Sequence, residues 1–168
     1  KVYVIAEHYE SDKTVEYHCR KIKEIAARLG WKTDERGRLH ALIDSAAGQR
    51  TLSAEKSVSE LFAKNGILVN PKVNKQVFRG VSKIKSLLIG DGKTPDLYIF
   101  SSCVNMIREI KGYKWGDGDS PVKRDDHAMD ELRYYVMTLP ERKNVPEKTS
   151  DNLISADKRR IRLWMKKS

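Results

Sequence analysis

Four short apolar runs, each followed by a stretch of helical period, restrict this chain to a layered α/β architecture. Residues 1–9 (KVYVIAEHY) alternate Val2, Val4 and Ala6 with Tyr3 and Ile5, the period of two that a strand imposes on its faces. Asp12 then offers an N-cap, and Val15, Cys19, Ile22, Ile25, Ala26 and Leu29 recur at helical spacing up to Gly30. Residues 39–46 (LHALIDSA) read as a buried strand. A helix is expected from Ser53 through Val58, Leu61 and Phe62 to near Gly66, and Ile67, Leu68 and Val69 form a strand closed by Pro71. Asn74 opens a long amphipathic helix whose face is Val77, Val81, Ile84, Leu87 and Leu88, ended by Gly90. A strand at 97–100 precedes a helix around Val104, Met106, Ile107 and Ile110. The loop 111–123 follows, and a last helix runs from Asp126 to Leu139 and Pro140. Strands separated by helices return across a sheet in the same direction, so a largely parallel sheet flanked by helices is expected.

A chain of 168 residues, 39% hydrophobic and 33% charged, is long enough for one domain with a sizeable core and too apolar for a disordered one. No apolar run is long enough to cross a bilayer, and no membrane partner is expected. Cys19 and Cys103 stand far apart with no Cys/His cluster, which argues against a zinc site and fits a reducing compartment. Lys1 opens directly into an apolar run without a signal-peptide pattern, and the chain is expected to be a fragment of a longer protein. The formal charge of +10 points to a polyanionic partner. Half of it lies in residues 141–168, with nine Lys/Arg against four Asp/Glu. Residues 141–157 read as a linker, and 158–168 (KRRIRLWMKKS) as a basic tail. That tail either contacts polyphosphate, docks Ile161, Leu163 and Trp164 on a protein partner, or is a solvated terminus.

The densest chemistry lies between Arg124 and Tyr135. Asp126 and Asp130 are four residues apart and His127 and Asp130 three, so the three side chains can share one helical face. Acids crowded in this way repel each other or titrate unless a cation neutralises them, and a hard divalent metal takes oxygen ligands of this kind. Asp44, at the end of its apolar run, lies where open α/β sheets place their sites, or else caps the next turn through an Asx bond. Set opposite the Asp126–Asp130 pair it makes a workable two-metal cradle for phosphodiester hydrolysis, holding two Mg²⁺ or Mn²⁺ ions. His127 either shuttles a proton or tunes metal occupancy there, or simply hydrogen-bonds a neighbouring acid.

Asp44 in its LIDSAA run, Tyr113-Lys114-Trp115, Pro121-Val122-Lys123 and the helix DHAMDELRYY occur in an order that resembles the C-terminal nuclease domain of large terminase subunits of tailed bacteriophages. Glu7-His8-Tyr9 after an apolar strand and Ser53-Ala54-Glu55-Lys56 before a helix extend the resemblance over most of residues 2–139. It implies an RNase H-like layered fold, with a central mixed sheet flanked by helices, over residues 1–140. It further implies a two-metal endonuclease that cuts concatemeric double-stranded DNA in the cytoplasm of an infected bacterial host. The implied partners are DNA, an N-terminal ATPase domain, the portal and the small terminase subunit. No Walker motif occurs here, so motor activity is not assigned to these residues. By position, Asp44 matches the family's second acidic ligand. Asp130 is favoured over Asp126 for the last ligand, with His127 as the accompanying histidine and Asp125 as a cap. The resemblance places the family's first catalytic Asp on an opening strand expected upstream of Lys1, or else Glu7 takes that place in an unfamiliar role.

Several residues carry two readings each. Lys56, Lys114, Lys123 and Arg124 are candidate DNA contacts or solvated charges. Tyr113 and Trp115 either stack on DNA or anchor their loop on the core. Glu7 is an outer ligand or hydrogen-bond partner near the site, or a solvated strand end, and Arg133 pairs with the acids or with phosphate. The rival functions are another RNase H-like nuclease, of resolvase or integrase type, and a non-catalytic DNA-binding or assembly module.

Overall fold

A computed structural model of the chain describes residues 1–48, 56–116 and 121–140. Four strands and five helices alternate in it: β1 (Val2–Val4), α1 (Val15–Arg28), β2 (Leu39–Leu42), α2 (Val58–Lys64), β3 (Ile67–Asn70), α3 (Val77–Ile89), β4 (Leu97–Ile99), α4 (Val104–Gly112) and α5 (His127–Thr138), with a 3-10 turn at Ser45–Gly48. The tail, residues 141–168, and Ser53 lie outside the described residues.

Helices α1 and α2 begin where a local side chain reaches a free amide, which periodicity alone does not reveal. Thr14, not Asp12, caps α1 by accepting from the Tyr17 amide at 3.2 Å. Asp12 instead sits at φ 58, a left-handed turn into the helix that Asp tolerates better than most residues. The hydroxyl of Ser57 caps α2, while the Glu60 carboxylate accepts from the Ser57 amide at 2.7 Å and closes a reciprocal box. Asn74 does not open α3. Its side chain makes an Asx turn to the Gln76 amide at 3.0 Å, and the helix starts at Val77.

The described strands are shorter than the apolar runs and form two parallel pairs, β1 with β4 and β2 with β3. Val2 faces Leu97 in one register and Leu39 faces Ile67 in the other. The mixed α/β class is therefore present. One continuous central sheet is not formed among the described residues. Each pair carries its own core. Val2, Leu97, Ile84, Met106, Met129, Leu132 and Val136 form the larger one, between β1–β4 and helices α3, α4 and α5. Cys19, Leu39 and Ile67 form the smaller, under α1. Both cysteines are buried free thiols within these cores. Among the described residues no helix is long and apolar enough to cross a membrane.

Gly90 ends α3 at φ 63, and a Cβ there would lie 1.8 Å from the Thr94 carbonyl oxygen. Gly90→Ala combines left-handed strain with that backbone clash, and neither partner is the movable end of a side chain. We expect it to destabilise the fold by about 2 kcal/mol or more, read as a lower denaturation midpoint at unchanged slope.

Candidate active site

Asp44 lies two residues beyond the end of β2, on the side where both parallel strands of that pair present their C-termini. Its Oδ1 accepts from the Ala46 amide at 2.7 Å, so the Asx turn is real. The same oxygen accepts from Lys75 Nζ at 2.8 Å, and Oδ2 accepts from the Tyr134 hydroxyl at 2.7 Å. One carboxylate thus serves both the turn and the contacts to Lys75 and Tyr134. The bond to Tyr134 joins positions 90 residues apart and fastens the β2 end to the helix that carries Asp126 and Asp130.

On α5, Arg133 Nη2 donates to Asp130 Oδ1 at 2.5 Å, and Nη1 donates to the Lys75 carbonyl at 3.2 Å. The guanidinium is buried, its Nε has no hydrogen-bond partner among the described residues, and it lies 5.0 Å from the centre of the Tyr134 ring. Asp44, Lys75, Asp130, Arg133 and Tyr134 therefore form one cluster, with Tyr134 at its middle. Lys75 holds the Asp44 carboxyl down to about 2, helped by the Ala46 amide and Tyr134. Burial, then the bond to Asp44 and the charge of Asp130, push the Tyr134 phenol up to about 12, so it remains a donor.

Asp126 stands at the N-cap of α5 at φ −121 and makes no side-chain cap bond, while its carbonyl accepts from the Asp130 amide at 2.8 Å. Asp125, before it, is at φ 49 and makes no cap bond among the described residues; its described ion partner is Arg124 at 3.8 Å. His127 is exposed on the first turn, with Glu131, four residues on, as an electrostatic neighbour.

Lys56, Lys114, Lys123 and Arg124 are all exposed and able to meet phosphate. Trp115 is half-buried, tilted against Phe78 with ring centres 6.3 Å apart, and bridges to Pro121. Tyr113 is the loop's anchor, buried in the larger core. Glu7 is a hydrogen-bond partner rather than a solvated end. It accepts from the Asn105 and Met106 amides at 2.9 and 3.0 Å and caps α4. Burial opposes its charge, but those amide bonds prevail and keep its carboxyl below the ordinary range.

Three residues of the neighbourhood escape sequence reasoning. Tyr134 is signalled by its position four after Asp130, on the same helical face. Lys75 precedes α3 among other lysines and has no local mark. Glu109, buried in α4, looks like the polar side of an ordinary helix.

By donor type the acids fit a hard divalent cation, since Asp44, Asp130 and Asp126 offer only carboxylate oxygens. In number they are sparse. Among the described residues no three His, Cys, Asp or Glu side chains converge as a ready metal cage. The charge is met instead from within the chain, by Lys75 on Asp44 and Arg133 on Asp130.

A carboxyl held below its ordinary value of 3.8 stabilises the fold above that value and loses this contribution as pH falls toward about 2. Lys75→Met removes the largest cause. The Asp44 carboxyl ¹³C titration is then expected to move up toward 3.8, with the acid-side loss of stability starting at higher pH. An unmoved midpoint would refute the Lys75–Asp44 pairing.

Comparison of the chain with protein families, curated proteins and solved structures finds no match.

Proposed function

We propose that this chain is an RNase H-like nuclease domain that hydrolyses double-stranded DNA, of the kind found in the large terminase subunits of tailed bacteriophages. The observation that carries the reading is the 2.7 Å bond from Tyr134 to Asp44, which sets a strand-end acid beside the helix of Asp126 and Asp130. Asp44 and the acids of α5 come from distant parts of the chain, and the bond joins them across 90 residues.

In this reading Asp44 and Asp130 hold the metal, with Asp126 in support. When bound, Mg²⁺ or Mn²⁺ supplies an acidified water and positive charge at the scissile phosphate. Tyr134 keeps Asp44 oriented through Oδ2, and Arg133 does the same for Asp130 through Oδ1. Lys75, exposed and on a flexible stem, leaves Asp44 for a phosphate oxygen as the site fills. His127 accepts or returns a proton near the leaving oxygen. Lys56, Lys114, Trp115, Lys123 and Arg124 take the DNA backbone on a salt-sensitive surface. The ATPase domain, portal and small terminase subunit are the partners this reading implies, in the cytoplasm of an infected bacterium.

The ion pairs on both acids favour a second reading, a DNA-binding module that has kept the fold without the chemistry. The two separate on supercoiled plasmid with Mn²⁺, using the full-length natural protein. Nicked and linear products support the nuclease. A mobility shift without cutting, and no Mn²⁺ bound, supports the module. Preference for branched DNA would point to a resolvase.

A further inference from the structure

Glu109 has almost no exposed surface (1%) and faces the start of α5 from the neighbouring helix α4. Its Oε2 accepts from the Met129 amide at 3.0 Å and its Oε1 from the Tyr9 hydroxyl at 2.7 Å. Met129 is the third residue of α5, so its N–H is one of the amides a helix leaves unbonded at its start. The N-cap side chain ordinarily takes that amide. Asp126 holds the N-cap position and does not. The positive end of the α5 dipole also favours a carboxylate at this point. Glu109 is itself fixed at both ends. Tyr9 binds it directly, and Glu7, two residues earlier, caps α4.

We propose that Glu109 is a positioning residue that caps α5 from the adjacent helix in place of Asp126. With the Met129 amide already taken, the Asp126 carboxylate is spared from capping its own helix. The first turn of α5 is pinned to α4, and Asp130, whose amide bonds the Asp126 carbonyl, is pinned with it. The consequence for metal binding rests on the nuclease reading above; the cap itself does not.

Glu109→Gln keeps an acceptor for Met129, whereas Glu109→Met fills the space without one. In the full-length protein, Glu109→Gln should keep Met129 amide exchange slow and hold Mn²⁺ affinity, read by paramagnetic relaxation, within about threefold of wild type. Glu109→Met should speed Met129 exchange, shift the Asp126 and Asp130 carboxyl ¹³C resonances and weaken Mn²⁺ binding by about tenfold or more. Unchanged Met129 exchange in Glu109→Met overturns the cap. Fast exchange with unmoved carboxyl resonances and wild-type Mn²⁺ affinity overturns the positioning role. Should Glu109→Met not fold, Tyr9→Phe removes one donor and nothing else, and is expected to weaken Mn²⁺ by about threefold; no change in affinity or carboxyl shifts there overturns the proposal. Wild-type protein that binds no Mn²⁺ defeats the nuclease reading, while Met129 exchange and the two carboxyl resonances still decide this one.

Discussion

Asp44→Asn lowers metal-dependent cutting of plasmid by at least about a thousandfold and leaves the protein folded; that is the expected result if the site is a nuclease. A carboxylate on a divalent cation contributes several kcal/mol of charge stabilisation, and each 1.4 kcal/mol or so is about tenfold in rate. The amide that replaces it binds a hard cation poorly. Structurally the change is mild. An Asn oxygen still accepts from the Ala46 amide, its NH2 can donate to the Tyr134 hydroxyl in place of the bond Asp44 accepts, and Lys75 is exposed, so no buried charge loses its partner. The stability change should stay below about 1 kcal/mol. Single-turnover conversion of supercoiled plasmid in Mn²⁺, beside a denaturation curve, reads both quantities. Cutting at the wild-type rate by a folded Asp44→Asn protein would sink the assignment.

Asp130→Asn is a less clean probe of the same site. Its partner Arg133 is buried, and an amide cannot neutralise that guanidinium. Lost activity would then mix lost metal with a loosened helix. The asymmetry comes from solvent: Asp44 pairs with a lysine that water can reach, and Asp130 with an arginine that water cannot.

The same contrast explains what could be read from the sequence. The helical faces of α1 and α3 were legible because burial of a stripe repeats every three or four residues, and α1, α3 and α5 end near where Gly30, Gly90 and Pro140 stop them. The proximity of Asp44 to α5 was also within reach, because strand ends in parallel units converge on one side. Caps were not. Whether Asp12 or Thr14, or Asn74 or Gln76, opens a helix depends on one or two backbone angles rather than on a repeating pattern. Strand partition was hidden for a different reason. A run such as LHALIDSA carries no mark of which partner its edges will take, and β1 finds its described partner in β4, more than ninety residues away. Lys75 and Glu109 owe their places wholly to tertiary contact, the first through a carboxylate 31 residues earlier and the second through an amide 20 residues later.

The largest effect on stability is expected at the contact between Arg133 and Gly80. A Cβ at Gly80 would fall 2.2 Å from Arg133 Cγ and 2.7 Å from Cδ. Those atoms belong to the buried stem of the arginine, whose head is held by Asp130 and the Lys75 carbonyl, so the stem has little freedom to withdraw. Gly80→Ala should therefore cost about 2–3 kcal/mol, although alanine is the better helix former by about 1 kcal/mol. Arg133→Ala should cost about 3 kcal/mol or more, from the lost packing and the unpaired Asp130. The two must not add. Without Cγ and Cδ the clash is gone, and in an Arg133→Ala background Gly80→Ala should become neutral or stabilising by up to about 1 kcal/mol. Denaturation of the four proteins gives the coupling, expected at about 2–4 kcal/mol. Additivity within about 0.5 kcal/mol would mean that α3 does not press on the arginine stem. It would also mean that the buried guanidinium, and with it the seat of Asp130, is not set by the packing of α3 against α5.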